Sequence, residues 1–336
     1  MSYEEFLQAI PGLLQDRLGG EAKVSLHTVY KNNNQKREML CILEEGSNVS
    51  PTIYLRPFYE AAQEGMELEA VLNGILAEYR RNRCGLYLDV DEFQRFDRVS
   101  SRVVYKLINY ERNQEMLALV PHRRFLDLAV VYYLLIENYF IGNGTAMVQN
   151  RQMKLWQADE EKLFALADVN TKKRLGGEIL PMEQVVHDIL LEDLSRQIEE
   201  TPGGGDLGPK DVEELAGQIL TELMAEKHYE MYVMSNTERY FGAAALLDDG
   251  LLAEFAAQKN SSLYVLPSSI HEVILLPDTE PLSVEDMRRM LTGINENGVS
   301  GQEYLSDQVY YYNRETGKLS ICGDSAPASA GNPGER

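Results

Sequence analysis

The sequence predicts an α+β fold with mixed, mostly antiparallel sheets and helices packed on them. Segments with apolar residues at helical spacing alternate with short segments that are rich in β-branched and aromatic residues. The longest apolar stretch, residues 121–136 (PHRRFLDLAVVYYLLI), opens with a polar, cationic cluster. We expect this stretch to lie near the middle of a sheet, with its charged end at the rim.

Composition limits the function classes. The 336 residues allow one large or two ordinary domains. The 53 acidic and 32 basic residues give a net charge of −21, which disfavours binding to phosphate backbones. Three distant cysteines without a CxxC pair argue against a disulfide framework. The N-terminus lacks signal-peptide features and no apolar run reaches about 18 residues, so we expect a cytoplasmic protein without a membrane span.

The first third of the chain begins with a helix signal. Ser2 and Glu5 form a capping-box pattern, and the amphipathic helix that follows should end near Gly19. The next predicted elements are a hairpin of residues 24–30 and 39–43 around an Asn turn, a strand at 52–55, and one helix from Pro57 that buries Met66, Val71, Leu72, Ile75 and Tyr79.

The middle of the chain holds the predicted central strands and two long helices. Residues 102–110 have the composition of a strand. Residues 125–136 fit a buried strand or a buried helix, and the adjacent valines and tyrosines favour a strand. Further predicted elements are short strands at 144–149 and 153–156, a helix from about Asp159, a helix at 181–200, a linker at 201–209 and a helix from Pro209. The last two helices form a hairpin with acidic outer faces.

The last third returns to strands and helices. Its predicted strands are residues 231–234, 240–246, 263–266, 272–276, 308–312 and 318–322, with helices at 251–258 and from Ser283. We divide the chain into an N-terminal lobe (1–175), the helical hairpin with its Gly-rich linker (176–229), a C-terminal lobe (230–322) and a disordered tail (323–336).

Most catalytic signatures are absent from the sequence. It contains no P-loop, no GxGxxG after a strand, no HExxH, no GxSxG and no EF-hand loop. The five histidines are scattered without metal-ligand spacing, so we expect neither a metal nor a cofactor. Three local clusters of polar residues remain as candidate sites.

The first cluster is a catalytic candidate. Ser268, Ser269, His271 and Glu272 supply the residue types of a nucleophile, a base and an orienting acid between two apolar strands. The alternative is a β-turn whose hydroxyl groups satisfy local backbone groups.

The second cluster, His122, Arg123 and Arg124, offers planar guanidinium donors for a carboxylate or phosphate. Alternatively, successive residues point to opposite sides and one arginine pairs with an acid such as Asp127.

The third cluster contains Tyr105, Lys106 and Asn109. On a strand, Tyr105 and Asn109 share one face, where they would line a binding groove, and Lys106 lies on the other. Lys106 would add a cation to an anion site with Arg123 and Arg124. The alternative is a half-exposed sheet face. Trp156, the only tryptophan, is expected to be a core anchor.

Several phrases, in order, resemble a known family. They are GSNVSPTIYLRPFYE, VVYKLINYERNQEML, VPHRRFLDLAVVYYLL, GTAMVQNRQMKLW, LYVLPSSIHEVILLP and YLSDQVYYYNRETG. Together they resemble domain-of-unknown-function family 5688, an uncharacterised bacterial family common in anaerobic gut Firmicutes. The resemblance covers nearly the whole chain and departs at the Gly-rich linker and the tail. It implies a cytoplasmic bacterial protein and carries no catalytic residue across.

These observations predict a non-enzymatic binding or protein-interaction module whose partner contacts the acidic helical hairpin. One alternative is a hydrolase-like enzyme that uses Ser268 or Ser269 with His271. Another is a binder of a small anionic ligand through Arg123 and Arg124. The sequence predicts no particular oligomeric state.

Overall fold

The computed structural model describes residues 1–47, 50–83, 90–138, 142–200, 208–223 and 229–323. They form an α+β fold of antiparallel sheets with packed helices, which confirms the predicted class. The helices are α1 (Tyr3–Leu18), α2 (Arg56–Gln63), α3 (Leu68–Asn82), α4 (Val90–Gln94), α5 (Phe96–Val99), α6 (Gln114–Leu117), α7 (Asn150–Trp156), α8 (Glu160–Leu175), α9 (Met182–Glu200), α10 (Pro209–Leu223), α11 (Asp249–Lys259) and α12 (Val284–Asn297).

The strands belong to three sheets. They are β1 (Ala22–Lys31), β2 (Gln35–Glu44), β3 (Ile53–Tyr54), β4 (Val103–Asn109), β5 (His122–Phe125), β6 (Leu128–Asn138), β7 (Gly142–Met147), β8 (Gly177–Pro181), β9 (Tyr232–Asn236), β10 (Leu263–Leu266), β11 (Val273–Pro277), β12 (Tyr310–Asn313) and β13 (Lys318–Ile321). Their orders are β1-β2-β3, β4-β6-β5 with β7 also on β6, and β13-β12-β10-β11-β9-β8.

The chain divides into two compact units. Unit 1 comprises Met1–Val104, Arg112–Pro121 and Tyr132–Leu166, and unit 2 comprises Tyr105–Glu111, His122–Val131 and Ala167–Arg336. The boundaries that the sequence predicts at residues 175 and 229 stay predictions. Residues 324–336 of the expected tail and residues 201–207 of the expected linker lie outside the described residues.

Unit 1 begins with the predicted capped helix. The Ser2 hydroxyl accepts from the Glu5 N–H at 3.2 Å, and the Glu5 carboxylate accepts from the Ser2 N–H at 2.7 Å. These bonds satisfy donors that the first helical turn leaves without partners. The apolar stripe of Phe6, Ile10 and Leu14 is fully buried in one core with β2 and α3.

The predicted single helix after Pro57 is wrong. Gly65 adopts φ +104°, a left-handed conformation that ends α2, and α3 starts only at Leu68. Met66 lies in the break and is 47% exposed, so its predicted burial is also wrong.

The apolar stretch at 121–136 consists of two strands. Phe125 pairs with Leu128 across a turn of Leu126 and Asp127, which makes β5 and β6 an antiparallel hairpin. β6 lies between β4 and β5 in the sheet, so the expected central position holds for the apolar part of the stretch. The polar cluster forms its own strand beside it.

The predicted strand at 153–156 is wrong, because these residues lie in α7. A capping box between Gln149 and Gln152 starts this helix, and it has Gln at the N-cap position where Ser or Thr is usual. Trp156 is buried, and its indole N–H donates to the Phe93 carbonyl at 3.1 Å. Its expected role as a core anchor is confirmed.

The six-stranded sheet of unit 2 is covered by helices. Leu266 and Ile274 pack with Met287 and Leu291 of α12 in one buried cluster. Tyr232 makes an edge-to-face contact with Phe255 of α11, with ring centres 4.8 Å apart. The sequence pattern missed β8, because five residues directly before a long helix carry too little alternation to mark a strand.

The predicted strand at 240–246 is wrong as well. Residues Gly242–Leu247 form a 3₁₀ helix that packs on β9. A Cβ atom at Gly242 would collide with the Ser235 hydroxyl and the His271 carbonyl, and would lie 2.7 Å from the Asn236 nitrogen. Only glycine permits this close approach of backbone to backbone.

Candidate functional site

The serine-rich turn between β10 and β11 is a closed hydrogen-bonded unit. The Ser269 hydroxyl donates to the Glu272 carboxylate at 2.7 Å and accepts from the N–H groups of His271 and Glu272 at 3.0 and 3.3 Å. The Ser268 hydroxyl donates to the Glu272 carbonyl at 3.3 Å. Both serines are buried. Hydroxyl groups that bond the backbone two or three residues on are typical of a structural turn.

The His271 ring is held from a different segment. Its Nδ1 accepts from the Phe241 N–H at 3.3 Å, so the neutral ring carries its proton on Nε2. Nε2 lies 3.7 Å from a Glu303 carboxylate oxygen. The Phe241 ring stacks on the imidazole with centres 6.0 Å apart, and the Tyr240 ring lies 5.7 Å away.

The four catalytic candidates are therefore neighbours without a described hydrogen bond between a serine hydroxyl and the His271 ring. The single Ser269 hydroxyl proton goes to Glu272, and His271 Nδ1 already accepts a backbone proton. A serine nucleophile needs its proton within hydrogen-bond reach of a base, about 2.6–3.2 Å. The arrangement can hold a turn and orient an imidazole, and catalysis by these residues stays a prediction.

Strand β4 is buried along its whole length, which contradicts the alternative of a half-exposed face. The Tyr105 hydroxyl donates to the Asp168 carboxylate at 3.1 Å, and the Asn109 amide donates to the Leu305 carbonyl at 2.9 Å. Burial, reinforced by the negative charge of Asp168, holds the pKa of Tyr105 well above its ordinary value.

The side chain of Lys106, on β4, contacts the phenylalanine that stacks on the His271 imidazole. It is only 6% exposed, and its ammonium group lies 4.1 Å from the centre of the Phe241 ring. Phe241 in turn stacks on His271. Cation–π contacts at desolvated sites are worth about 2 kcal/mol. Sequence analysis missed Phe241, because it assigned this residue to a strand.

Arg124, in contrast, lies at the surface. Successive side chains of β5 point to opposite faces, so Arg123 and Arg124 do not form one clamp. The Arg124 guanidinium lies 4.5 Å from the Tyr110 ring centre, and its Nε donates to the Leu126 carbonyl at 3.1 Å. The His122 and Tyr110 ring centres are 6.3 Å apart.

Asp127, the expected partner of an arginine, serves two hydroxyl groups instead. Its carboxylate accepts from Ser306 at 2.6 Å and from Tyr310 at 2.5 Å. Burial and the Asp127 charge hold the pKa of Tyr310 well above its ordinary value.

The polar clusters line different grooves. His271, Glu272 and Glu303 line one of about 310 Å³, together with Arg239, which is paired with Asp188 at 2.9 Å. Another groove, of about 620 Å³, is lined by Arg124, Leu126, Asp127, Gln308 and residues 319–323. Within the described parts of the chain, no three His, Cys, Asp or Glu side chains are grouped as metal ligands.

The acidic helical hairpin, α9 and α10, is confirmed as a packed helix pair. Its two helices contain ten acidic and two basic residues, a net charge of −8 out of −21 for the chain. Among the described side chains of α10, only Val212 and Ala216 are buried. Ile189 of α9 is 47% exposed and Leu215 of α10 is 37% exposed.

Comparison with protein-family models gives a match over most of the chain. The model of a family of unknown function, DUF5688, matches residues 3–314. The chain belongs to this family. The DUF5688 match confirms the resemblance found in the sequence and assigns no activity. No curated protein and no solved structure matches the chain. None of the described helices is long and apolar enough to cross a membrane.

Proposed function

We propose that this DUF5688 protein is a non-enzymatic interaction module, and that the acidic helical hairpin binds a basic amphipathic helix of a partner protein. The observation that carries the proposal is the exposure of apolar side chains within an acidic surface. Ile189 and Leu215 are large apolar residues at 47% and 37% exposure on two packed helices.

The charges of the hairpin favour one kind of partner. Asp193 follows Ile189 by one helical turn, and Asp211 precedes Leu215 by one turn, so each exposed apolar residue has an acidic neighbour on its own face. A partner helix with apolar residues at helical spacing would cover the exposed apolar residues. Lys and Arg beside them would pair with the acidic neighbours. Electrostatic complementarity of this kind sets partner choice and association rate.

The turn at residues 267–272 supports a module without catalysis. Ser269 has its proton bound to Glu272, and His271 Nδ1 accepts a backbone N–H. A hydrolase that uses His271 as the base for Ser269 would need these two groups to pair with each other. We expect no labelling of the protein by a fluorophosphonate probe. Labelling that disappears with His271→Ala would favour the hydrolase.

The proposal includes a cytoplasmic location in a bacterium. The described cysteines Cys41 and Cys322 are free thiols, and burial raises the pKa of both. Free thiols fit a reducing compartment. The net charge of −21 argues against nucleic acid as the partner.

Binding of a defined peptide tests the hairpin. The probe is a fluorescein-labelled peptide of about fourteen residues with Leu at helical spacing and Lys elsewhere, followed by fluorescence polarisation. The Ile189→Ser/Leu215→Ser double variant should bind about tenfold more weakly, because about 1.4 kcal/mol of apolar burial is lost. A matched peptide with Glu in place of Lys should not bind.

Charge variants provide the control, because any acidic surface attracts a basic peptide. Glu192→Gln/Glu222→Gln removes two charges from the hairpin, and Glu4→Gln/Asp16→Asn removes two from exposed positions of α1. The hairpin pair should weaken binding and the α1 pair should not. Equal effects of the two pairs, or unchanged affinity of the Ile189→Ser/Leu215→Ser variant, would overturn the proposed function.

A further inference from the structure

The outer edge of the six-stranded sheet is a row of backbone groups that point away from the sheet. β13 is the terminal strand, and within the described chain it pairs with β12 alone. The Cys322 N–H donates to the Val309 carbonyl at 2.8 Å, on the β12 side. Because backbone groups alternate along a strand, the N–H and C=O groups of Leu319 and Ile321 point outward.

A groove follows this edge. Its volume is about 620 Å³, and one wall consists of the consecutive residues 319–323. Successive strand residues point to opposite faces of a sheet, so a groove that all of them line is not confined to one face of β13. Arg124, Leu126, Asp127 and Gln308 also line it. The volume lies within the range of ordinary ligand sites.

One arginine lines the groove, and a lysine directly precedes its strand residues in the sequence. Arg124 is exposed, and its described contacts are the Tyr110 ring and the Leu126 carbonyl, with no carboxylate among the described ion pairs. Lys318, at the start of β13, is exposed as well. The Asp127 carboxylate in the same groove accepts from Tyr310 and Ser306. Arg124 therefore has its terminal nitrogens available for a carboxylate ligand.

We propose that the free edge of β13 binds an extended, acidic peptide segment of a partner protein as an additional strand. The outward backbone groups of Leu319 and Ile321 supply the main-chain hydrogen bonds, and Arg124 selects a carboxylate side chain. Lys318 adds a positive charge at the start of β13, which favours an acidic strand over a basic one. This site is separate from the acidic helical hairpin and does not depend on the function proposed for it.

Peptide selection tests the edge. A phage library of random peptides about twelve residues long is panned on the immobilised full chain, and enriched peptides are synthesised with fluorescein for polarisation measurements. Enriched sequences should contain more Asp and Glu than the unselected library. Leu319→Pro should weaken their binding about tenfold or more, because proline removes an outward N–H and leaves the bonds to β12 in place.

A second variant keeps the test independent of folding. Arg124→Gln should weaken the selected peptides several-fold, and Arg314→Gln, in the turn between β12 and β13, should leave their affinity unchanged. No enrichment above the unselected library, or wild-type affinity in the Leu319→Pro and Arg124→Gln variants, would overturn the proposal. Self-association that Leu319→Pro abolishes, without any enriched peptide, would assign the edge to a second copy and would also overturn it.

Discussion

Two polar regions of unit 2 use their side chains in opposite ways. In the turn at residues 267–272, the Ser269 hydroxyl makes three hydrogen bonds within the turn itself. In the acidic helical hairpin, Glu192, Asp193 and Glu222 are among the exposed charged residues, and Ile189 and Leu215 are exposed as well. Residue types that are associated with catalysis can thus be fully used in holding a turn. The hairpin, which exposes Ile189 and Leu215, is the region to which we assign the partner.

The largest expected effect comes from a substitution that disrupts the packing behind the turn. Gly242→Ala places a Cβ against Ser235 and the His271 carbonyl, so we expect a loss of about 3 kcal/mol in the free energy of unfolding. Gly217→Ala, in the hairpin helix α10, meets no atom within 4 Å and should stabilise the protein by about 0.5–1 kcal/mol. Denaturant titration measures both. Equal effects would contradict the contrast between a closed turn and an open hairpin.

A smaller effect separates the two serines of the turn. Ser269→Ala leaves two backbone N–H groups and the Glu272 carboxylate without their partner, which should cost about 2 kcal/mol. Ser268→Ala removes one long bond to the Glu272 carbonyl and should cost well under half as much. Thermal unfolding of the two variants compares them. A larger loss for Ser268→Ala would refute the structural role assigned to Ser269.

Local sequence patterns predict much of the fold. The Ser2–Glu5 capping box, the β1–β2 hairpin and the long helices α9 and α10 are each encoded within a few turns of chain. The misses lie where distant contacts override local signals. The segment around Gly242 has strand-like composition, but it forms a 3₁₀ helix whose Gly242 lies close against Ser235 and the His271 carbonyl.

The sequence predicts which residues of the candidate site are neighbours, but it does not predict the contacts that they make. Sequence adjacency brought Ser269, His271 and Glu272 together correctly. It gave no sign that Phe241 holds the His271 ring and that the Lys106 ammonium group lies against the same phenylalanine. Such contacts join segments far apart in the chain, so the spacing of apolar residues within one segment cannot predict them.

The smallest expected effect is a pH dependence of the sheet that carries the turn. Burial and the nearby Asp278 raise the pKa of Tyr264, on β10, to about 12. The folded state therefore keeps a proton that the unfolded state releases near pH 10, so stability is lost as pH rises from about 10 to 12. Tyr264→Phe should reduce this slope in thermal melts. An unchanged slope would exclude Tyr264 as a source of this loss of stability. The helices α9 and α10 contain no tyrosine, so they cannot contribute to the loss through a tyrosine.

Hydrogen–deuterium exchange tests the central contrast most directly. The wild-type chain is labelled with and without the basic Leu/Lys peptide, and protection is mapped by mass spectrometry. We expect slower exchange in α9 and α10 and unchanged exchange in the turn around Ser269 and His271. Protection confined to that turn and its groove, with none in the hairpin, would contradict the account and return the function to the polar cluster.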